Sequence, residues 1–188
     1  MPMQRLATYI GLLRGINVGG HNKIPMSDLC ALCAKIGYSS VQSYIQSGNL
    51  VFSTSAAPTA IEGDLQRAIE GRFHLQIPVI VRAATDWPAY VTGNPFPEAS
   101  RIEPNLVMLG LAKTPPKPEA VSALRSRSAN GERITQVGDA LWIHFAGGAG
   151  GSKISPALLD RLVGSPVTMR NWRTVFTLSE LLVSNKSP

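Results

Sequence analysis

The order in which strand-like and helix-like stretches follow one another constrains this chain most, because one succession occurs twice. Thr8 to Leu13 is an apolar run ahead of a glycine-containing loop, which reads as a buried strand. Met26, Leu29, Leu32, Cys33 and Ile36 then recur at helical spacing, and Gly37 suits the position that ends that helix. Two β-rich runs follow, Val41 to Gln46 and Leu50 to Thr54. They join through Ser47-Gly48-Asn49, whose glycine and asparagine tolerate the positive φ of a tight hairpin. Thr59 and Glu62 have capping-box spacing ahead of a helix marked by Ile61, Leu65, Ile69 and Phe73. Ile77 to Ala83 is a further strand, and a short helix from Asp86 to about Thr92, capped by Thr85, stops at Gly93-Asn94-Pro95.

The same list then begins again. Leu106 to Leu111 is a strand, Glu119 to Arg127 a helix, and Ile134 to Val137 with Leu141 to Phe145 a hairpin turning at Gly138-Asp139. Ser155 before Pro156 is a strong N-cap and first-position pair for a helix built on Leu158, Leu159 and Leu162 and ended by Gly164. Val167 to Arg170 is the last strand. Asn171 can cap a final helix that carries Trp172, Val175, Leu178 and Leu182 on one side, with Trp172 as core and in the place of Trp87. The expected fold is therefore α+β: two ferredoxin-like βαββαβ(α) halves related by internal duplication, with mainly antiparallel sheets. Domains of residues 1–95 and 96–188 are expected, with joints in the Pro-rich segments Asn94 to Pro97 and Thr114 to Pro118. Leu141-Trp142-Ile143-His144-Phe145 is apolar or aromatic in both alternation phases, so the face of each sheet away from its helices should be covered too, by the other half or a second chain.

No stretch approaches the roughly 18 apolar residues of a membrane span, so no membrane partner is expected. The apolar run Leu6 to Leu13 follows Arg5, but it continues into Arg14 without a small-residue cleavage site and reads as a strand rather than a signal. With only two cysteines, Cys30 and Cys33, no disulfide framework is suggested, and a reducing cytoplasm is the simplest setting. The net charge of +6 suits a phosphate-bearing or otherwise acidic partner. The excess is scattered: residues 1–95 carry seven Lys/Arg against five Asp/Glu, and residues 96–188 carry eleven against seven. Without a basic run, that is more often a soluble surface than a nucleic-acid footprint.

Several stretches together resemble the uncharacterised, mainly bacterial family catalogued as domain of unknown function 1697. They are Leu12-Leu13-Arg14-Gly15-Ile16-Asn17-Val18-Gly19-Gly20-His21-Asn22-Lys23, Tyr44-Ile45-Gln46-Ser47-Gly48-Asn49, Asn94-Pro95-Phe96-Pro97, Ser152-Lys153 and Arg170-Asn171-Trp172-Arg173-Thr174. The resemblance spans nearly the whole chain. It implies a cytoplasmic α+β protein of about this length and brings no activity, cofactor or catalytic residue.

Three stretches can carry chemistry. The loop with Arg14, Asn17, Gly19, Gly20, His21, Asn22 and Lys23 joins a strand to a helix. Amide groups freed by glycine geometry, beside a lysine, suit an anion. Lys23 is followed by Ile24, however, so the hydroxyl of a Walker loop is missing, and a plain turn using glycine is the alternative. The second stretch is Gly147 to Lys153, which precedes a helix and supplies Ser152 and Lys153; the alternative there is a flexible tether. The third is Arg170 to Arg173, which supplies two arginines.

Topology groups these residues. The first loop shares an edge with the hairpin turn carrying Gln46, Ser47 and Asn49, while Ser152, Lys153, Arg170 and Arg173 share another. The expected function is binding of a phosphorylated or anionic ligand, nucleic acid among the classes, through the glycine-rich loops. One alternative is an enzyme on a small polar substrate with His21 as acid/base and Arg14 or Lys153 stabilising negative charge; another is a protein interaction module. No cofactor or metal is expected: His21, His74 and His144 lack ligand spacing and read as lone structural histidines, and the Cys30/Cys33 pair has no further cysteines. Gly48-Asn49-Leu50-Val51-Phe52 lacks the spaced aromatics of an RNA-recognition sheet. Monomer and homodimer are left open.

Overall fold

A computed structural model describes residues 6–184. The elements in order are β1 (Ala7–Leu13), α1 (Met26–Lys35), β2 (Ser39–Tyr44), β3 (Asn49–Thr54), α2 (Pro58–Phe73), β4 (Val79–Ala83), α3 (Trp87–Thr92) and α4 (Pro97–Ile102). They continue with β5 (Val107–Ala112), α5 (Ala120–Arg125), β6 (Glu132–Val137), β7 (Ala140–Phe145), a 3-10 turn at Ala149–Gly151, α6 (Pro156–Val163), β8 (Val167–Asn171) and α7 (Trp172–Ser184). The strands form two four-stranded sheets, β2-β3-β1-β4 and β6-β7-β5-β8. Every pairing is antiparallel. Each is the split βαβ order, and the two halves are similar, as the repeated succession implies. By compactness the described residues form two units, one of residues 6–87 with 180–184, the other Pro88–Ser179.

Each sheet has its own core on the helix side. In the first, Tyr9, Leu13, Leu50, Phe52 and Val79 meet Leu29 and Cys33 of α1 and Ile61, Leu65 and Ile69 of α2. Tyr38 lies flat on Phe52, with ring centroids 4.6 Å apart. In the second, Leu141, Ile143, Phe145 and Val167 meet Ala120 and Leu124 of α5 and Leu159 and Val163 of α6. The opposite faces are buried as well: Ile10, Leu12, Val51 and Ile80 in one sheet, and Leu109, Leu111 and Trp142 in the other, are at most 1% exposed.

The repeat extends to single residues. Gly11 and Gly110 occupy the middle of the two central strands. A Cβ at Gly11 would stand 3.1 Å from Phe52, and one at Gly110 would stand 3.3 Å from the Leu141 carbonyl oxygen. Arg82 pairs opposite Ile10, and Arg170 opposite Leu109. Each guanidinium donates to the carbonyl of the preceding residue, Val81 or Met169, at 2.9 Å. Sheet edges are guarded alike. Glu62 of α2 accepts the backbone N–H of Val81 at 2.8 Å, and Asp160 of α6 accepts that of Val167 at 2.9 Å. Arg125 of α5 donates to the Ile134 carbonyl of edge strand β6 at 2.7 Å.

Five local expectations meet a different outcome. Glu62 does not close a capping box with Thr59: Pro58 opens α2 behind Ala57, with no side-chain cap, and the Glu62 carboxylate serves the edge strand instead. The first hairpin turns at residues 45–48, with positive φ at Ile45 and Gly48. Asn49 instead sits in β3, buried, its amide donating to the Tyr44 carbonyl and the Ser47 hydroxyl at 3.0 Å. A Cβ at Gly48 would lie 2.7 Å from that of Leu13, so glycine is required there twice over. Pro97 of the expected joint begins α4 as its first residue. Gly147 to Lys153 is not a loose tether: it contains the 3-10 turn, and Asn130 donates to the Gly147 carbonyl at 2.9 Å. Trp172 is half-buried rather than core, lying against Trp142 and Phe176, while Trp87 is fully buried. The caps at Ser155 and Asn171 form as read, accepting the N–H groups of Leu158 and Thr174.

Candidate functional site

The first loop is a closed structure held by its asparagines. Gly15, Asn17, Gly19, Gly20 and Asn22 all have positive φ, which folds the backbone back on itself so that Val18 bridges His21. Asn17 Nδ2 donates to the Ile24 carbonyl at 2.9 Å and to the Gln46 carbonyl at 2.8 Å, and Asn17 Oδ1 accepts from the Ile24 N–H at 2.9 Å. Asn22 Nδ2 donates to the Gly15 carbonyl at 3.0 Å. The bond to Gln46 joins the loop to the β2–β3 turn, the juxtaposition topology calls for. It also means that Asn17, Asn22 and Asn49 bind backbone groups rather than facing a ligand unengaged.

This loop presents to solvent Gly15 and the apolar Val18 as well as Gly19, Gly20, His21, Asn22 and Lys23, all exposed. A concavity of 380 Å³ beside them is lined by Asn17, Gly20, Lys23, Ile24, Pro25 and Gln46, with Lys23 its one cation. Arg14 is half-buried, and its backbone N–H bonds the Pro78 carbonyl. The His21 side chain has no hydrogen-bond partner among the described residues, so nothing there orients its ring as a general acid or base.

In the second half the glycine-rich loop is organised around a carboxylate. Glu132 is buried and accepts from the Ser152 hydroxyl, from the Ser128 hydroxyl at 2.8 Å, and from the N–H groups of Ala129 and Asn130 at 3.0 and 2.8 Å. These donors, the Ser152 hydroxyl above all, hold its pKa down to about 2, far below the ordinary glutamate range. Ser152 is thus turned toward a fixed negative charge and anchors the loop.

Lys153, the next residue, is turned out to solvent. With Arg127, which follows α5, and Arg161 of α6 it lines a concavity of 470 Å³ at the start of α6, completed by Ser155, Ala157 and Leu158. None of the three cations pairs with a carboxylate among the described residues. Arg170 and Arg173 diverge from this group. Arg170 is 7% exposed and bonds the Thr168 hydroxyl at 2.8 Å; burial pulls its pKa down to about 10, so it stays charged. Arg173 is exposed in the first turn of α7.

Sequence reading passed over Arg127 and Arg161, although their charge and exposed helical phase are visible; only the fold brings them to Lys153. It also passed over a pair, His144 Nε2 with the half-buried Glu103 Oε1, in which His144 is 5% exposed and its Nδ1 has no hydrogen-bond partner among the described residues. Forty-one residues separate the two, so no local spacing reveals them. Burial pushes the Cys33 thiol up to about 12, which leaves it an unreactive thiol at neutral pH. Among the described residues no three His, Cys, Asp or Glu side chains gather as ligands for a metal ion.

A family model described as "Protein of unknown function (DUF1697)" matches residues 6–142, well over half of the chain. The chain belongs to the DUF1697 family. No curated protein matches it. Among solved structures, a conserved bacterial protein of Streptococcus pneumoniae shares this DUF1697 fold with a TM-score of 0.69 at 20% identity, over 95% of this chain and 99% of that one. At that identity the likeness is one of fold. In this DUF1697 chain no helix among the described residues is long and apolar enough to cross a membrane.

Proposed function

We propose that this DUF1697 chain binds a phosphorylated or otherwise anionic ligand through the concavity at the start of α6, at the end of its glycine-rich loop. One observation carries the reading: Arg127, Lys153 and Arg161 line a single concavity and none is neutralised by a described carboxylate. Three like charges in one depression repel one another, by about 1 kcal/mol per pair at close range even in water. An anion converts that repulsion into attraction. Ser152 fixes the loop from behind by its bond to Glu132, so Lys153 leaves an anchored backbone rather than a mobile tether. The first loop, with Lys23 alone beside its concavity, is the weaker anion site. A reducing cytoplasmic setting agrees with two free thiols at Cys30 and Cys33.

Thermal unfolding in inorganic phosphate, against chloride at matched ionic strength, tests this. Phosphate should raise the melting temperature of the wild type, and Lys153→Ala or Arg161→Ala should abolish most of that rise while Lys23→Ala keeps it. Equal responses from all four proteins would refute the assignment, because phosphate would then be acting as a general stabilising salt.

A further inference from the structure

We infer that the ligand of the α6 concavity is a phosphate monoester on a small aliphatic body, of the sugar- or polyol-phosphate class, rather than a nucleotide or a nucleic-acid strand. The inference rests on the anion reading above and narrows it. Charge count is the first observation. A monoester carries close to two negative charges and three terminal oxygens at neutral pH, whereas each phosphodiester of a nucleic acid carries one charge. Arg127, Lys153 and Arg161 on one concavity match the denser charge.

Donor placement is the second. Ser155 caps α6 by accepting the Leu158 N–H at 3.2 Å, which leaves its own hydroxyl proton to donate. Pro156 has no N–H, so the Ala157 N–H is the first amide of the helix, and no described residue accepts it. Two neutral donors therefore stand beside three cations, enough to give each terminal oxygen a partner.

The non-polar wall is the third observation. It consists of Ala157 and Leu158, aliphatic side chains that offer carbon contact; no aromatic ring lines the concavity, and the Arg127 and Arg161 guanidinium planes on which a base could otherwise stack are the groups engaged by the phosphate. The volume, 470 Å³, lies within the range of small-molecule sites, and a strand of nucleic acid calls for an extended groove.

Calorimetric titration of the full chain with four probes at one ionic strength decides it: inorganic phosphate, glucose 6-phosphate, AMP and a single-stranded oligonucleotide. Glucose 6-phosphate should bind at least tenfold tighter than inorganic phosphate and than AMP. Its affinity should fall at least fivefold in both Lys153→Ala and Arg161→Ala, and fall again from pH 7.5 to pH 5.5 as the ester loses its second charge. AMP or the oligonucleotide binding as tightly as glucose 6-phosphate would overturn the narrowing while leaving the anion site in place. Binding of none of the four would overturn both.

Discussion

Glu132 shows at the scale of a residue how a loop that looks flexible in sequence becomes fixed. Two backbone N–H groups and two hydroxyls converge on one carboxylate, and three of these four donors, from Ser128, Ala129 and Asn130, lie within four positions of it. Glu132→Gln should cost about 1–3 kcal/mol in urea unfolding at pH 7, because an amide cannot accept from all of them and presents its own donors to theirs. The folded-state pKa is depressed, so the charged group's contribution is complete above the ordinary value of 4.5 and is lost as pH falls toward 2. The gap between wild type and variant should accordingly close over that interval; a gap of constant size would exclude the carboxylate's charge as its source. Tyr38 makes the opposite case. Its hydroxyl is buried with no hydrogen-bond partner among the described residues, so Tyr38→Phe should leave stability unchanged or raise it by up to about 1 kcal/mol, measured by the same unfolding curves.

Among the elements, those with strong local chemistry were legible in sequence and those decided by distant partners were not. Ser155 with Pro156 and Gly164 defines α6 to the residue, since cap, first position and terminator all act within one helix. Ser155→Ala should therefore cost about 1 kcal/mol in thermal unfolding, and a value near zero would mean the cap is redundant. Thr59 and Glu62 carry an equally good local pattern that fails, because the N–H of Val81, nineteen positions on, takes the carboxylate. Asn49 likewise leaves the turn for a strand, where its amide closes the turn from the side. The candidate site divides in the same way. Lys153 follows a conspicuous glycine run, but Arg127 and Arg161 have no mark beyond their charge, and their convergence depends on how α5 and α6 lie on one sheet.

Across the whole molecule the repeated succession does more than fix topology; it sets the same physical demands twice. Gly11 and Gly110 are the clearest pair, each in a central strand where a further carbon would crowd its neighbours. Gly110→Val should destabilise by about 1–3 kcal/mol in thermal unfolding, by overpacking against the Leu141 carbonyl and Val167, and Gly11→Val should do likewise against Phe52; variants melting like the wild type would show that these neighbours yield.

The helix carboxylates that accept from β4 and β8 have a consequence beyond native stability. A sheet that ends in bare amide groups is a template on which further chains can add, and here one acidic side chain from a helix occupies an amide on each of those flanks. Selection against fibre growth would keep such acids even where they contribute little to the melting temperature. A Glu62→Ala, Asp160→Ala double variant should thus fold and melt nearly as before, yet seed thioflavin-positive assemblies at concentrations where the parent protein stays dispersed.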